Sequence, residues 1–229
     1  MNTQKSKIKK NFFSLKRRIK EISKKNFLSS KKITILVVTK GRSLEEMQSV
    51  LNCKNFNFGE NYVQESIKKI NFFKKEKKIS WHFIGNLQSN KSSYVAKNFD
   101  WYHSLNSFKI ADRIEKQRPN SMKPIKVLIQ LNVDKRENNF GVSEENAFLL
   151  ANYIKKFKNL DFSGIMVMPK IEKSFTKQIK KFLYAKEIFD KLKKVHPQIS
   201  VLSMGTTQDM QSAIISGSNL IRIGSGIFE

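Results

Sequence analysis

Eight short apolar runs, each closed by turn residues, alternate with polar stretches that carry apolar residues every three or four positions, and this alternation constrains the fold most. The runs are ITILVVT (33–39), FNFG (56–59), WHFIG (81–85), WYHSL (101–105), KVLIQLNV (126–133), LDFSGIMVM (160–168), ISVLSMG (199–205) and NLIRIG (219–224). Helix-like segments lie between them near 43–52, 60–75, 89–98, 107–117, 143–157, 174–195 and 207–216. Strands that alternate with helices pair in parallel through crossovers, and several runs are apolar on both faces, as strands covered on both sides are. Eight such units in 229 residues predict a closed (β/α)8 barrel, with a doubly wound open sheet as the competitor. No Gly/Pro/Ser linker or alignable repeat divides the chain, so residues 1–229 are expected to form a single domain, with an N-terminal helical segment over 1–30.

In that segment Ile8, Phe12, Leu15, Ile19 and Ile22 recur at spacings of four, three, four and three, which places them on one helix face. A helix packed on the barrel is expected, and a helix lying on a membrane surface is the alternative. The eighth run is followed by SGIFE alone, without an eighth crossover helix, and the N-terminal helix is expected to cover that gap. The apolar stretch Ile33–Val38 falls far short of the roughly 20 residues that span a bilayer.

Lys and Arg number 44 against 19 Asp and Glu, for a formal charge of +25. A nucleic-acid surface is not the reading this favours, because 37 of the 44 are lysines, whereas base recognition draws on the bidentate guanidinium. Asn, Phe and Ile are abundant as well, so AT-rich codon usage accounts for much of the lysine. With Cys53 alone, no intrachain disulfide forms, which fits a reducing, cytoplasmic location.

In a barrel of this kind the chemistry sits at the C-terminal ends of the strands, with phosphate commonly held after strands seven and eight. Strand one would end in Thr39-Lys40-Gly41, strand seven in Ser203-Met204-Gly205 and strand eight in Arg222-Ile223-Gly224-Ser225-Gly226. Glycine N–H groups and serine hydroxyls there suit an anion. Lys40 is expected at the mouth in an apolar cavity, where a partly desolvated amine could attack an aldehyde. Together these features point to a phosphorylated carbonyl compound.

The strings FGENYVQE (58–65), WHFIGNLQSNK (81–91), LSMG (202–205), DMQSAI (209–214) and IRIGSGIF (221–228) resemble the pyridoxal phosphate homeostasis proteins, and VVTK (37–40) stands where that family carries its cofactor lysine. The resemblance runs from about residue 33 to residue 228. It implies a single-domain TIM barrel of the alanine racemase N-terminal type that holds pyridoxal 5′-phosphate as an internal aldimine on Lys40. Ser203, Gly224 and Ser225 would hold the phosphate, Arg222 would face the pyridine nitrogen, and Asn61 would line the site. A permanently charged Arg222 makes the ring a poor electron sink, so a carrier in vitamin B6 homeostasis is expected rather than an enzyme, with a minimal amino-acid racemase as the alternative. The expected partners are pyridoxal 5′-phosphate and apo-enzymes that use it; the protein is expected to be a monomer, with no membrane or specific nucleic-acid partner.

The chain departs from the resemblance in places. Gly41-Arg42-Ser43 replaces a Thr-Lys-Pro-like segment and is expected to loosen or recharge the mouth; Asn139 stands where a lysine is common; Thr206-Thr207 replaces a Met-Ser-like pair; and the early stop at Glu229 puts closure of the barrel in question. His82, His103 and His196 show no metal-ligand spacing. His82 is expected to be a hydrogen-bonded strand-end residue or to approach the cofactor, and the other two to be structural or on the surface. Glu60 and Glu65 suit the positive end of a helix, and 68–78 (KKINFFKKEKK) is expected to bury Ile70, Phe72 or Phe73.

Overall fold

Each apolar run forms a strand in the computed structural model, which describes residues 2–134 and 141–229. The strands are β1 (Thr34–Val38), β2 (Asn57–Glu60), β3 (Ser80–Phe83), β4 (Trp101–Leu105), β5 (Ile125–Leu131), β6 (Leu160–Val167), β7 (Val201–Ser203) and β8 (Leu220–Ile223). All pair in parallel, in chain order, and close into a barrel. The closing seam sets Leu36 beside Arg222 and Val37 beside Ile223, so the barrel is shut at the C-terminal end that the sequence left in question.

The crossovers are α2 (Leu44–Leu51), α3 (Val63–Phe72), α4 (Ser92–Asn98), α5 (Phe108–Gln117), α6 (Glu144–Ile154), α7 (Phe175–Val195) and α8 (Met210–Ile215), and α9 (Ser225–Phe228) follows β8. Several start as their sequences dictate. Ser107, Ser143 and Ser174 accept from the backbone three residues on, and Ser43 forms a full capping box with Glu46.

Strand alternation divides the core into two layers. Ile35, Val37, Phe58, Phe83, Val127, Ile129, Ile221 and Ile223 pack outward against the helices. The alternate residues Leu36, His82, His103, Leu128, Ser203 and Arg222 are also buried and take the inner face. The inner layer therefore mixes aliphatic and polar groups, a departure from an aliphatic barrel core.

The N-terminal segment is α1 (Asn2–Lys25), which packs against α2, α8 and α9 where an eighth crossover helix would lie. Ile8, Phe12, Leu15, Ile19 and Ile22 are all buried, at roughly 1.5–3 kcal/mol for each such side chain, which overturns the membrane-surface alternative. Asn11 Nδ2 donates to the Ile227 carbonyl at 3.1 Å and fastens α1 to α9. No helix of the described residues is long and apolar enough to cross a membrane.

Candidate functional site

Lys40 lies two residues beyond Val38 on the inward parity of β1, so its side chain rises at the mouth of the barrel. The ladder reaches it, since Thr39 N donates to the Gly59 carbonyl at 2.9 Å. Lys40 is exposed, and the apolar, desolvating cavity expected for it is a misreading. The strand ends at Val38 and Gly41 turns the chain at φ +69°, so Thr39 takes the buried place and Lys40 takes the rim.

Behind Lys40, outside the barrel wall, three charged side chains meet. Glu60 ends β2 completely buried, and Lys69 on α3 is 4% exposed. The Lys69 ammonium donates to the Thr39 carbonyl at 2.5 Å, to Glu60 Oε1 at 2.8 Å and to Glu65 Oε1 at 2.6 Å. Glu60 Oε1 also accepts from the Thr39 hydroxyl at 2.5 Å, and Glu65 Oε1 from Gly41 N at 2.6 Å. Burial pushes the Glu60 carboxyl above its ordinary pKa, against the opposing pull of Lys69 and Thr39. Glu60 thus belongs to a strand rather than to a helix start, and the basic stretch 68–78 buries Phe73 while leaving Phe72 exposed.

Inside the barrel, Arg222 is 5% exposed and has no carboxylate in salt-bridge contact among the described residues. Its Nη1 donates to the Ser203 carbonyl at 3.0 Å and to the Ser203 hydroxyl at 2.9 Å, and its Nη2 to the Val167 carbonyl at 2.9 Å. The Nε–H and the second Nη2–H have no acceptor among the described residues. Burial pulls this guanidinium down to about 10, against a weak opposing field from Asp209.

His82 and His103 share the interior. His82 stacks on Trp101 with ring centroids 5.2 Å apart, its Nδ1 lies 2.9 Å from His103 Nε2, and its Nε2 lies 3.3 Å from Asn57 Oδ1. Asn57 Oδ1 is an acceptor, so His82 carries its proton on Nε2 and accepts on Nδ1; His103 then carries its proton on Nε2 and presents a bare lone pair on Nδ1. That Nδ1 is buried without a partner among the described residues. Burial holds His82 at about 3 and His103 well below the ordinary range, so both rings are neutral.

Between these groups and the rim lies the turn after β8. Gly226 N donates to Thr207 Oγ1 at 3.1 Å, the Ser225 and Thr207 hydroxyls are 3.1 Å apart, and a Cβ on Gly226 would come within 2.8 Å of Thr207 Cγ2. Asp209 shapes the loop that carries Thr207 by accepting from Thr206 N at 2.6 Å and its hydroxyl at 2.9 Å. A Cβ on Gly224 would touch Val38 at 3.4 Å, so this turn adjoins the end of β1 and Lys40. Asn61, in the loop after β2, keeps a buried Oδ1 without a partner among the described residues.

A family model described as the alanine racemase N-terminal domain matches residues 8–229. The pyridoxal phosphate homeostasis protein of Buchnera aphidicola subsp. Baizongia pistaciae is 42% identical over 224 residues, which covers 97% of this chain and 98% of that relative. This chain belongs to that family. A pyridoxal phosphate homeostasis protein from Haemophilus influenzae is 38% identical over 224 residues, covering 96% of this chain and 94% of the relative. The solved structure of PipY from Synechococcus elongatus with PLP bound shares the fold at a TM-score of 0.85 and 24% identity, covering 97% of this chain and all of that one.

As a pyridoxal phosphate homeostasis family member, the chain brings Lys40, Arg222, Gly224 and Ser225 to one end of one barrel. Ser203 lies deeper, engaged with Arg222, while the hydroxyl that meets Gly226 and Ser225 belongs to Thr207. In the sequence Thr207 figures only as half of a replaced pair; its signal is its place in the loop that follows β7, two residues past Gly205. The Gly41-Arg42-Ser43 departure does the opposite of loosening the mouth. Arg42 stacks on Phe228 at 5.0 Å and pairs with Glu229 at 2.7 Å, and Ser43 caps α2. Asn139 lies outside the described residues.

Proposed function

We propose that this chain binds pyridoxal 5′-phosphate at the barrel mouth and serves its intracellular homeostasis, holding it on Lys40 and buffering it or delivering it to apo-enzymes, as a cytoplasmic monomer. The observation that carries the reading is Arg222: a buried cation that, among the described residues, has no bonded carboxylate and two N–H groups unengaged, on the inner face below a Gly-Ser-Gly turn. A buried charge needs compensation, and an aromatic nitrogen lone pair supplies an acceptor for those donors. The hydroxyls of Ser225 and Thr207 with the N–H groups of the 224–226 turn suit a phosphate, and Asn61 Oδ1 offers a further acceptor. When bound, pyridoxal 5′-phosphate would supply an aldehyde, an electrophile for which the Lys40 amine is the partner. Arg222, already protonated and able only to donate, would hold the pyridine nitrogen unprotonated and so disfavour carbanion chemistry. The names of the homologues support homeostasis over the racemase alternative.

Adding pyridoxal 5′-phosphate, reducing with borohydride and mapping the product tests this. One adduct per chain, on Lys40, is expected. An adduct spread over surface lysines and unchanged in Lys40→Ala contradicts it.

A further inference from the structure

We infer that Lys69 is a positioning residue for Lys40: its buried ammonium fixes the peptide groups on both sides of Lys40 and thereby sets where that amine points. The inference rests on the reading of Lys40 as the reactive lysine and adds the groups that aim it. An ammonium has three protons, and Lys69 places all three: on the Thr39 carbonyl, on Glu60 and on Glu65. Each bond leads to the segment around Lys40. The Thr39 carbonyl belongs to the peptide that carries the Lys40 nitrogen. Glu60 receives the Thr39 hydroxyl, and Glu65 receives Gly41 N on the far side.

The Lys40 side chain makes no hydrogen bond among the described residues, so its backbone is the handle by which the protein can aim it. Gly41 needs that handle, because a Cβ there would meet nothing within 4 Å and glycine is the most permissive residue in the chain. Core filling does not account for the trio, since an apolar side chain of Lys69's volume stabilises a core as well as a buried ion pair or better. What the ions provide is direction: hydrogen bonds that converge on both neighbours of one residue.

The test uses the full chain as wild type, Lys69→Met and Glu65→Ala. Each is titrated with pyridoxal 5′-phosphate and trapped with borohydride to give the rate of labelling at Lys40. Each is also titrated calorimetrically with pyridoxine 5′-phosphate, which has the ring and phosphate but no aldehyde. Lys69→Met should slow Lys40 labelling by about tenfold or more, because small misplacements of a reacting group are amplified in rate. Glu65→Ala, which releases Gly41 N and takes one of the three acceptors from Lys69 at a partly exposed position, should slow it by about fivefold, roughly the worth of one hydrogen bond. Affinity for pyridoxine 5′-phosphate should stay within about twofold of wild type in both, since the charged trio lies outside the barrel wall.

Labelling of Lys40 at the wild-type rate in both variants overturns the inference, as does a slowing matched by an equal loss of affinity for the alcohol. If Lys69→Met does not fold, Glu65→Ala decides by the same two readings. A wild-type label that falls elsewhere than Lys40 overturns the site reading and this inference together; a Lys40 label indifferent to Lys69 and Glu65 overturns this inference alone.

Discussion

Two sets of buried polar groups lie on either side of the barrel wall, and they differ in whether opposite charges are paired; each keeps a buried acceptor without a partner among the described residues, Glu60 Oε2 outside and His103 Nδ1 inside. Outside, Lys69, Glu60 and Glu65 form a trio in which every ammonium proton is placed and opposite charges meet. Inside, Arg222 has carbonyl and hydroxyl acceptors but no bonded carboxylate among the described residues, and beside it two neutral histidines end in the lone pair of His103 Nδ1. A charge-paired set holds structure in place. An open set, in a position reached from the mouth, retains hydrogen-bonding capacity for something the chain does not itself supply. On the proposed reading the two jobs of the site are separated: the outer set would place the lysine, and the inner set would read the ring.

The largest effect should come from breaking the charge-paired set. Lys69→Met leaves Glu60 buried and unpaired and should cost about 3–5 kcal/mol of unfolding free energy in chemical denaturation. Arg222→Met should cost less, because it removes a buried cation that had no carboxylate to lose; an equal or larger loss for Arg222→Met would erase the distinction.

The histidines give the next effect, and its sign is fixed. Their folded-state pKa values lie below the ordinary value of about 6.5, so the unfolded chain binds more protons as pH falls. Their contribution to stability is complete above about pH 6.5 and declines as pH falls below it. Denaturation curves across that range should be flatter for the double variant His82→Gln with His103→Gln than for wild type. Parallel curves would show that the rings are not held neutral.

At the cradle, Thr207→Val removes the hydroxyl that meets Gly226 and Ser225 and should weaken binding of pyridoxine 5′-phosphate by about fivefold, or roughly 1 kcal/mol, at an unchanged melting temperature. The smallest effect belongs to Arg42→Ala. It breaks a partly exposed ion pair with Glu229, so a loss of about 0.2–1 kcal/mol is expected, read as a small drop in melting temperature that salt diminishes further.

What the sequence disclosed and what it concealed follow the same division. Strands, crossovers and the buried face of α1 were legible because each depends on local periodicity. Lys40, Arg222, Gly224 and Ser225 were legible because strand ends in a barrel converge. Lys69 was not singled out, since it stands beside Lys68 in a basic run; its i,i+4 spacing from Glu65 is a local trace, but its contacts with Glu60 and the Thr39 carbonyl depend on other elements. The contact of His82 with His103 is lateral, between neighbouring strands 21 residues apart, and neither residue's surroundings announce the other. Arg42 looked like a loosened loop because its partner lies 187 residues away at Glu229. Pairings of this kind are set by tertiary structure, and a single sequence carries no local trace of them.

The central claim is that the inner set, and Arg222 above all, meets the ligand. Calorimetric titration of pyridoxine 5′-phosphate into wild type and Arg222→Met tests it most directly, because that compound reports ring and phosphate contacts without the Lys40 reaction. The account predicts binding at least about tenfold weaker in Arg222→Met, as expected for loss of a charge-assisted hydrogen bond in a buried site. Equal affinity for the two proteins would contradict it.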